Sequence, residues 1–298
     1  MSDNIPDSSK KLIQYVQESI TIDSSEEEIG SLALLTIEHL FKLDRNDIIQ
    51  DRSINLSSSD QKKLRKFIQR LNDNEPIQYI IGEAHFYGRE FIVNPAVLIP
   101  RPETEELVKL IIDENKGKKP KFADVGTGSG CIPISIKKEL PDSKPFAIDF
   151  DPRVIKVAKQ NAQRHETNID FMLMDIIREK MPLKSLDFVV SNPPYVTFSD
   201  KELMNANVTD FEPATALYVK NEDPLLFYRR IAEQAIECLK PNGKIYFETN
   251  EKYAEDVKLL LEAMEYVEGV VIKDISGKDR IVHARYSGDS FSHPETMS

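Results

Sequence analysis

Apolar residues return every three or four positions from Ser8 to about Asn74. Leu12, Ile13, Val16 and Ile20 form one run, Ile29, Leu32, Leu35, Ile37, Leu40 and Phe41 a second, and Leu64, Phe67, Ile68 and Leu71 a third. That spacing keeps each set on one face of a 3.6-residue turn, so each run predicts an amphipathic helix. The second and third open on Asp23-Ser24-Ser25 and Ser57-Ser58-Ser59-Asp60, whose side-chain oxygens suit the unpaired N–H groups of a first turn. Residues 1–75 therefore read as a small helical bundle.

The period then shortens. Gln78 to Val93 holds two β-rich runs around Gly82 and Gly88, which predicts a β-hairpin over residues 76–98 that links the bundle to the remainder of the chain. From about Lys119, short apolar runs alternate with amphipathic ones. Strands are expected at Phe122 to Val125, Phe146 to Asp149, Ile169 to Leu173, Leu186 to Ser191 and Ile245 to Glu248, with helices at about 131–140, 153–165, 224–240 and 252–265. This alternation marks a doubly wound α/β sheet with parallel strands, here over residues 99–288. Val267 to Ile272 and Arg280 to Tyr286 flank a turn at Ser276-Gly277-Lys278 and predict a terminal antiparallel pair. The polar residues 289–298 are expected to form a flexible tail.

Composition narrows the function classes. A net charge of −11 and a pI of about 5.1 disfavour stable binding to nucleic acid, which needs a surplus of Lys and Arg. Cys131 and Cys238 stand far apart with no CxxC or Cys/His spacing, so neither a disulfide framework nor a metal site is expected. The first residues lack a basic segment followed by an apolar core, and no run approaches the roughly 18 apolar residues of a membrane span. A cytoplasmic protein without a membrane partner is the expectation.

Asp124-Val-Gly-Thr-Gly-Ser-Gly130 ends the first predicted strand and opens a helix. Such a turn lets the backbone of Gly126, Thr127, Gly128, Ser129 and Gly130 approach a ligand and aim N–H groups at it. By itself the loop is ambiguous, because dinucleotide enzymes use a similar one and some glycine turns only tighten strand-to-helix packing. Asp149 closes the second strand about twenty residues on, where a carboxylate accepts from both hydroxyls of a ribose. Asp151 reads instead as the cap of a helix that begins at Pro152. Asp175, after the third strand, is either an acceptor for an adenine amino group or a solvated loop carboxylate.

Asn192-Pro193-Pro194-Tyr195 directly follows the strand Leu186 to Ser191. Two prolines cannot extend a central strand, and the Asn side-chain carbonyl with a proline main-chain carbonyl offers two acceptors to one NH₂ group. The clamp turns the nitrogen toward an electrophile, while Tyr195 packs on the planar group that bears it. A plain strand-ending turn is the other reading. With the loop and Asp149 upstream, the tetrapeptide points to methyl transfer from S-adenosylmethionine to a planar amide or amino nitrogen. An amide nitrogen is a poor nucleophile, so positioning rather than a strong base is expected. His39, His85, His165, His283 and His293 are scattered and receive no catalytic role. Cys131, at a helix start, is read as a small buried residue rather than an activated thiolate.

These motifs resemble the HemK/PrmC family of protein-(glutamine-N5) methyltransferases that modify peptide chain release factors. The resemblance extends over Pro76 to Gly82, Phe86-Tyr87-Gly88, Val97 to Val108, Asp124 to Gly130, Asn192 to Tyr195, Phe211-Glu212-Pro213 with Ala216-Leu217, Tyr228-Arg229-Arg230 and Gly277 to Val282, roughly residues 76 to 286. The bundle is similar in position and length. The resemblance implies a class I, Rossmann-like methyltransferase sheet with an N-terminal helical substrate-recognition domain. It implies S-adenosylmethionine as donor, with S-adenosylhomocysteine as product, and the glutamine of the Gly-Gly-Gln loop of class 1 release factors as acceptor. By matching position, Gly126 to Gly130 and Asp149 hold the cofactor, Asp175 and Ile176 border its adenine, and Asn192 to Tyr195 hold the glutamine amide, with Asn192 also beside the cofactor. Arg101 either lines the site entrance or pairs with a neighbouring carboxylate. Ile176 stands where the family often has a stacking tryptophan. Asp223-Pro224-Leu225 and Glu248-Thr249-Asn250 depart from the family's pattern, and both are expected in loops.

Two other readings share these residues. The same clamp suits the exocyclic amine of a flipped base, as in an adenine-N6 or guanine-N2 methyltransferase on DNA or RNA, although the acidic chain lacks the basic surface such enzymes use. A cofactor-binding regulatory protein without catalysis would not need the intact clamp.

Overall fold

The computed structural model describes residues 5–197, 199, 206–219 and 221–288. In chain order the helices and strands are α1 Ser9–Ser19, α2 Glu26–Phe41, α3 Arg45–Ile49, α4 Ser58–Asn72, α5 Ile77–Ile81, β1 Glu83–Phe86, β2 Arg89–Ile92, α6 Pro102–Asn115, β3 Lys121–Val125, α7 Cys131–Glu139, β4 Lys144–Asp149, α8 Pro152–Arg164, β5 Asp170–Leu173, β6 Leu186–Ser191, β7 Val196–Thr197, α9 Ala206–Phe211, α10 Ala214–Leu217, β8 Tyr218–Val219, α11 Leu226–Cys238, β9 Leu239–Glu248, α12 Ala254–Glu262, β10 Tyr266–Lys273 and β11 Asp279–Tyr286. They divide into two units, Met1–Gly82 with Asn205–Phe211 and Glu83–Met204 with Glu212–Ser298. No helix among the described residues is long and apolar enough to cross a membrane.

The first unit is helical, and its ends are set by side chains. Ser25 caps α2 through Glu28 N–H, and Ser57 and Asp60 form a reciprocal capping box at α4. Leu12 and Val16 of α1, Ile37 of α2 and Leu64 and Ile68 of α4 are fully buried in one cluster, the face that the three- and four-residue spacing foretold.

The boundary after the bundle differs from the sequence reading. Gln78 to Ile81 belongs to a short helix, closed by Gly82 in a left-handed conformation, because Pro76 presets a first turn and Gly82 accepts the positive φ that ends it. The hairpin is confined to β1 and β2. It is no free-standing linker: Phe86 and Phe91 are buried with Leu107, Val108 and Ile132 in the core of the second unit. The tail at 289–298 lies outside the described residues.

The second unit is built on a seven-stranded sheet in the order β10-β11-β9-β6-β3-β4-β5. β9, β6, β3, β4 and β5 are parallel, and β11 and β10 close one edge antiparallel. Alternate residues serve the two faces. Ala123, Val189 and Phe247 pack under α11 and α12, while Phe122, Phe188 and Tyr246 pack under α6 and α7. β9 begins earlier than the expected Ile245. Pro241-Asn242-Gly243 lie in an irregular stretch of this strand, with Asn242 at positive φ and a register shift against β6. Winding runs from β3 outward to β4 and β5, then returns to β6 on the other side of β3. That reversal opens a crevice beyond the carboxyl ends of β3, β4 and β6, where ligands bind in such sheets.

Candidate active site

A cleft with an open volume of ≈ 1060 Å³ lies at that crevice and is lined by residues 126–129, Asp149, Phe150, Asp175, Ile176, Asn192, Pro193, Pro194, Arg101 and Thr104 among others. All belong to the second unit. The loop after β3 curls over β4, with Gly126 and Thr127 N–H donating to Ile148 O at 2.9 and 3.0 Å. Gly128 sits at a φ of 55°, a conformation that needs no Cβ, and its N–H donates to Asp149 Oδ2 at 3.3 Å. Asp149 Oδ1 accepts from Asp151 N–H at 3.2 Å, so the carboxylate is aimed by the chain on both sides. Burial pushes Asp149 up to about 6, against the pull of these N–H groups. Asp151 caps α8 and pairs with Arg153, as its place before Pro152 foretold.

The structure separates two residues from the sequence-predicted set. Gly130 is not in the cleft wall. A Cβ there would stand 3.2 Å from Ile134 Cδ1 and 3.3 Å from Ala158 Cβ, so this glycine lets α7 pack closely on α8. Tyr195 is also outside the wall. It is half-buried against the cluster that holds Tyr228 and Phe247, and burial pushes its hydroxyl up to about 12.

Asp175 and Ile176 follow β5 and do line the cleft, with Asp175 Oδ1 accepting from Ile177 N–H at 2.9 Å. Phe150, half exposed at the cleft immediately after Asp149, was missed as a site residue, although an aromatic next to the ribose-facing position is visible in the sequence. Arg101 both lines the cleft and pairs with Glu212, whose other oxygen accepts from Ile99 N–H at 3.3 Å. Phe211-Glu212-Pro213 thus anchors the Pro100-Arg101-Pro102 segment. Cys131 is buried, and burial pushes its thiol up to about 12, which suits packing and not nucleophilic attack. His39, His85, His165 and His283 do not line the cleft, and His293 lies outside the described residues.

Beneath the loop lies a polar cluster in which Asp124 is the member the sequence reading left without a role. Asp124 is fully buried in β3 and neither of its carboxyl oxygens has a hydrogen-bond partner, and the same holds for the buried hydroxyls of Thr127 and Ser129. Burial pushes Asp124 up to about 7, and the Asp149 charge adds to this. The Thr127 hydroxyl softens the shift without reaching hydrogen-bonding geometry. Orphaned acceptors of this kind are costly unless a polar ligand meets them.

On the opposite wall, Asn192 follows β6, where Ser191 pairs with Phe247 of β9 and donates its hydroxyl to Val125 O at 2.6 Å. Asn192 Nδ2 donates to Thr104 Oγ1 at 3.3 Å, and Thr104 Oγ1 donates to Glu248 Oε2 at 2.6 Å. Glu248 is therefore not a loop residue. It is the buried last residue of β9, and burial pushes it up to about 7 against the pull of Thr104 and Arg280. Nothing in the linear spacing joins positions so far apart in the chain.

Known proteins fit this geometry. A methyltransferase small domain model matches residues 103–211 and a PrmC N-terminal domain model matches residues 18–82. The release factor glutamine methyltransferase of Bacteroides thetaiotaomicron is 45% identical over 275 residues, covering 92% of this chain and 99% of its own length. The chain belongs to the release factor glutamine methyltransferase family. A second member, from Flavobacterium psychrophilum, is 39% identical over 277 residues, 92% of this chain and 97% of that one. A solved methyltransferase from Pyrococcus furiosus, 17% identical, superposes with a TM-score of 0.51 over 74% of this chain and 98% of its own, a likeness of fold. In a member of this methyltransferase family the cofactor is S-adenosylmethionine, and the residues present suit it. Asp149 would offer a carboxylate to ribose hydroxyls, Asp124 lies buried behind the loop, and the apolar Phe150 and Ile176 would flank the place of a base.

Proposed function

We propose that this protein transfers a methyl group from S-adenosylmethionine to the side-chain amide nitrogen, N5, of the glutamine in the Gly-Gly-Gln motif of class 1 peptide chain release factors. The observation that carries the reading is that Asn192, Pro193 and Pro194 share one cleft wall system with the glycine loop and Asp149, so acceptor clamp and cofactor groups face the same space. Membership of the release factor glutamine methyltransferase family supports the acceptor class.

When bound, S-adenosylmethionine supplies an electrophilic methyl group on a positively charged sulfur. Asp149 accepts from the ribose hydroxyls, the loop of residues 126–129 closes over the polar end of the nucleoside, and Asp124, buried beneath the loop, adds negative charge. Asp175, Phe150 and Ile176 border the adenine. Asn192 Oδ1 and the Pro193 carbonyl accept the two protons of the glutamine NH₂. These acceptors draw electron density onto a nitrogen whose lone pair is otherwise shared with its carbonyl, and they fix its direction of approach. The apolar cleft wall excludes water from the transfer. The helical unit is assigned the grip on the folded release factor.

A radiolabelled-methyl transfer assay tests this with four separate acceptors: a release factor, the same factor with Gly-Gly-Gln changed to Gly-Gly-Ala, DNA and RNA. Label on the first alone is the expected result. Label on DNA or RNA instead would overturn the acceptor assignment.

A further inference from the structure

Resting on that reading of Asn192, we infer that Thr104 and Glu248 are positioning residues that fix which end of the Asn192 amide faces the acceptor, and so restrict the site to a nitrogen that arrives as a hydrogen-bond donor. Three elements meet here. Thr104 lies in the first turn of α6, Asn192 follows β6, and Glu248 ends β9.

The polarity of the chain follows from counting protons. Above the value of about 7 to which burial raises it, Glu248 is a carboxylate that only accepts, and a threonine hydroxyl has one proton to give. Thr104 Oγ1 gives that proton to Glu248 Oε2 at 2.6 Å, so toward Asn192 it is left with lone pairs alone. Asn192 must then turn its NH₂ inward, and Nδ2 does lie 3.3 Å from Thr104 Oγ1. Its Oδ1 is the arm left for the acceptor, where it meets an NH₂ and repels a carbonyl or carboxylate oxygen. Unanchored, an asparagine amide turns over easily, since its two ends have nearly the same shape.

Glu248 is well placed to anchor the relay because it cannot swing away. It is 1% exposed, it sits between β6 and β11, and the Tyr228 hydroxyl donates to its backbone carbonyl at 3.3 Å. Arg280 keeps positive charge on that side of the strand, held by Asp274 at 3.2 Å and by Thr249 O at 3.3 Å. Glu248 does not line the cleft, and no hydrogen bond among the described residues joins its side chain to the glycine loop or to Asp149. The Glu248 carboxyl accepts from Thr104, which in turn accepts from Asn192, and the Asn192 amide also helps to lower its pKa directly.

The test uses the full chain, with three relay variants and one control. Glu248→Gln removes the group that can only accept: its amide meets Thr104 with either end, so the Thr104 proton is no longer held away from Asn192 Oδ1. Thr104→Val keeps the shape and removes the link, while Thr104→Ser keeps the hydroxyl. Steady-state methyl transfer to a release factor is measured at saturating S-adenosylmethionine, with cofactor affinity read by calorimetry on the same samples. Glu248→Gln and Thr104→Val are expected to lower kcat by about 100-fold with cofactor Kd within about threefold, and Thr104→Ser to stay within about threefold in both. Asn192→Ala separates the two layers of inference. If it abolishes transfer while Glu248→Gln and Thr104→Val keep their rates, the relay is overturned and the proposed function stands. If Asn192→Ala also keeps its rate, the reading of the clamp falls and the relay falls with it. A loss of cofactor affinity equal to the loss of rate would move Thr104 and Glu248 into cofactor binding and overturn the relay as well.

Discussion

The two halves of the cleft, one proposed to hold the cofactor and the other the acceptor, are built in opposite ways. The cofactor half is almost contiguous: one strand, one glycine loop and a carboxylate about twenty residues on, tied together by Gly128 N–H on Asp149. The acceptor half is assembled from α6, β6 and β9, with Thr104 and Glu248 separated by 144 positions. A contiguous site is specified by local backbone conformation, whereas a dispersed one is specified by sheet order and register. Its precision depends on the whole second unit being folded.

That contrast is broken most directly at Asn192. Asn192→Ala is expected to cut methyl transfer by roughly 100- to 1,000-fold, the scale seen when one preorganised hydrogen-bonding group is removed. Cofactor affinity should stay nearly unchanged. Rate and cofactor Kd measured on one preparation decide the matter, and parallel losses would mean that the halves are not separable.

The complementary change lies in the cofactor half. Asp149→Ala is expected to weaken S-adenosylmethionine binding by about 1.5 to 3 kcal/mol, the range for a hydrogen bond to a charged group. Calorimetry gives the value directly. An unchanged Kd would remove Asp149 from the site.

A smaller effect is expected where the loop serves packing. Gly130→Ala must hold a side chain at a φ of 80° and seat its Cβ 3.2 Å from Ile134 and 3.3 Å from Ala158. We expect about 1 to 2 kcal/mol of lost stability, read as a lower Tm without cofactor. Full stability with weak cofactor binding would return Gly130 to the cleft wall.

The same contrast explains how much could be read in the chain. β6 was legible to the residue, because an apolar run stops at two prolines. α8 was legible from Asp151 and Pro152. That residues 126–129, Asp149 and Asn192 to Pro194 stand beside one cleft was legible because short motifs at strand ends carry their own geometry. Thr104 and Glu248 were not: a threonine in a first helical turn and a glutamate at a strand end are ordinary locally, and only the pairing of β9 beside β6 brings them to Asn192. The helix at Ile77–Ile81 was hidden for a related reason. Four of its five residues, Ile77, Tyr79, Ile80 and Ile81, are β-favouring by type, and Pro76 and Gly82 at its ends outweigh that preference.

The last test concerns protons, and its readout, cofactor affinity, belongs to the cofactor half. Burial holds Asp124 up to about 7 and Asp149 up to about 6, whereas in the unfolded chain both sit near the ordinary aspartate value. Between about pH 4 and 7 the folded protein without cofactor therefore keeps protons that the unfolded chain has lost. Their contribution to stability is fully present below about 4 and declines as pH rises through that window. A cationic ligand with ribose hydroxyls prefers both groups ionised, so binding must expel whatever protons remain. Affinity for S-adenosylmethionine should then rise from pH 5.5 to 7.5, by at most about tenfold per pH unit for each proton released, and level off above both values. Calorimetry at pH 6.5 in buffers of different ionisation enthalpy counts the protons directly, and Asp149→Asn should reduce the count. A count of zero, or an affinity that falls as pH rises, would mean that these carboxyls are not the groups that meet the cofactor, and would leave the glycine loop as the only anchor in that half of the cleft.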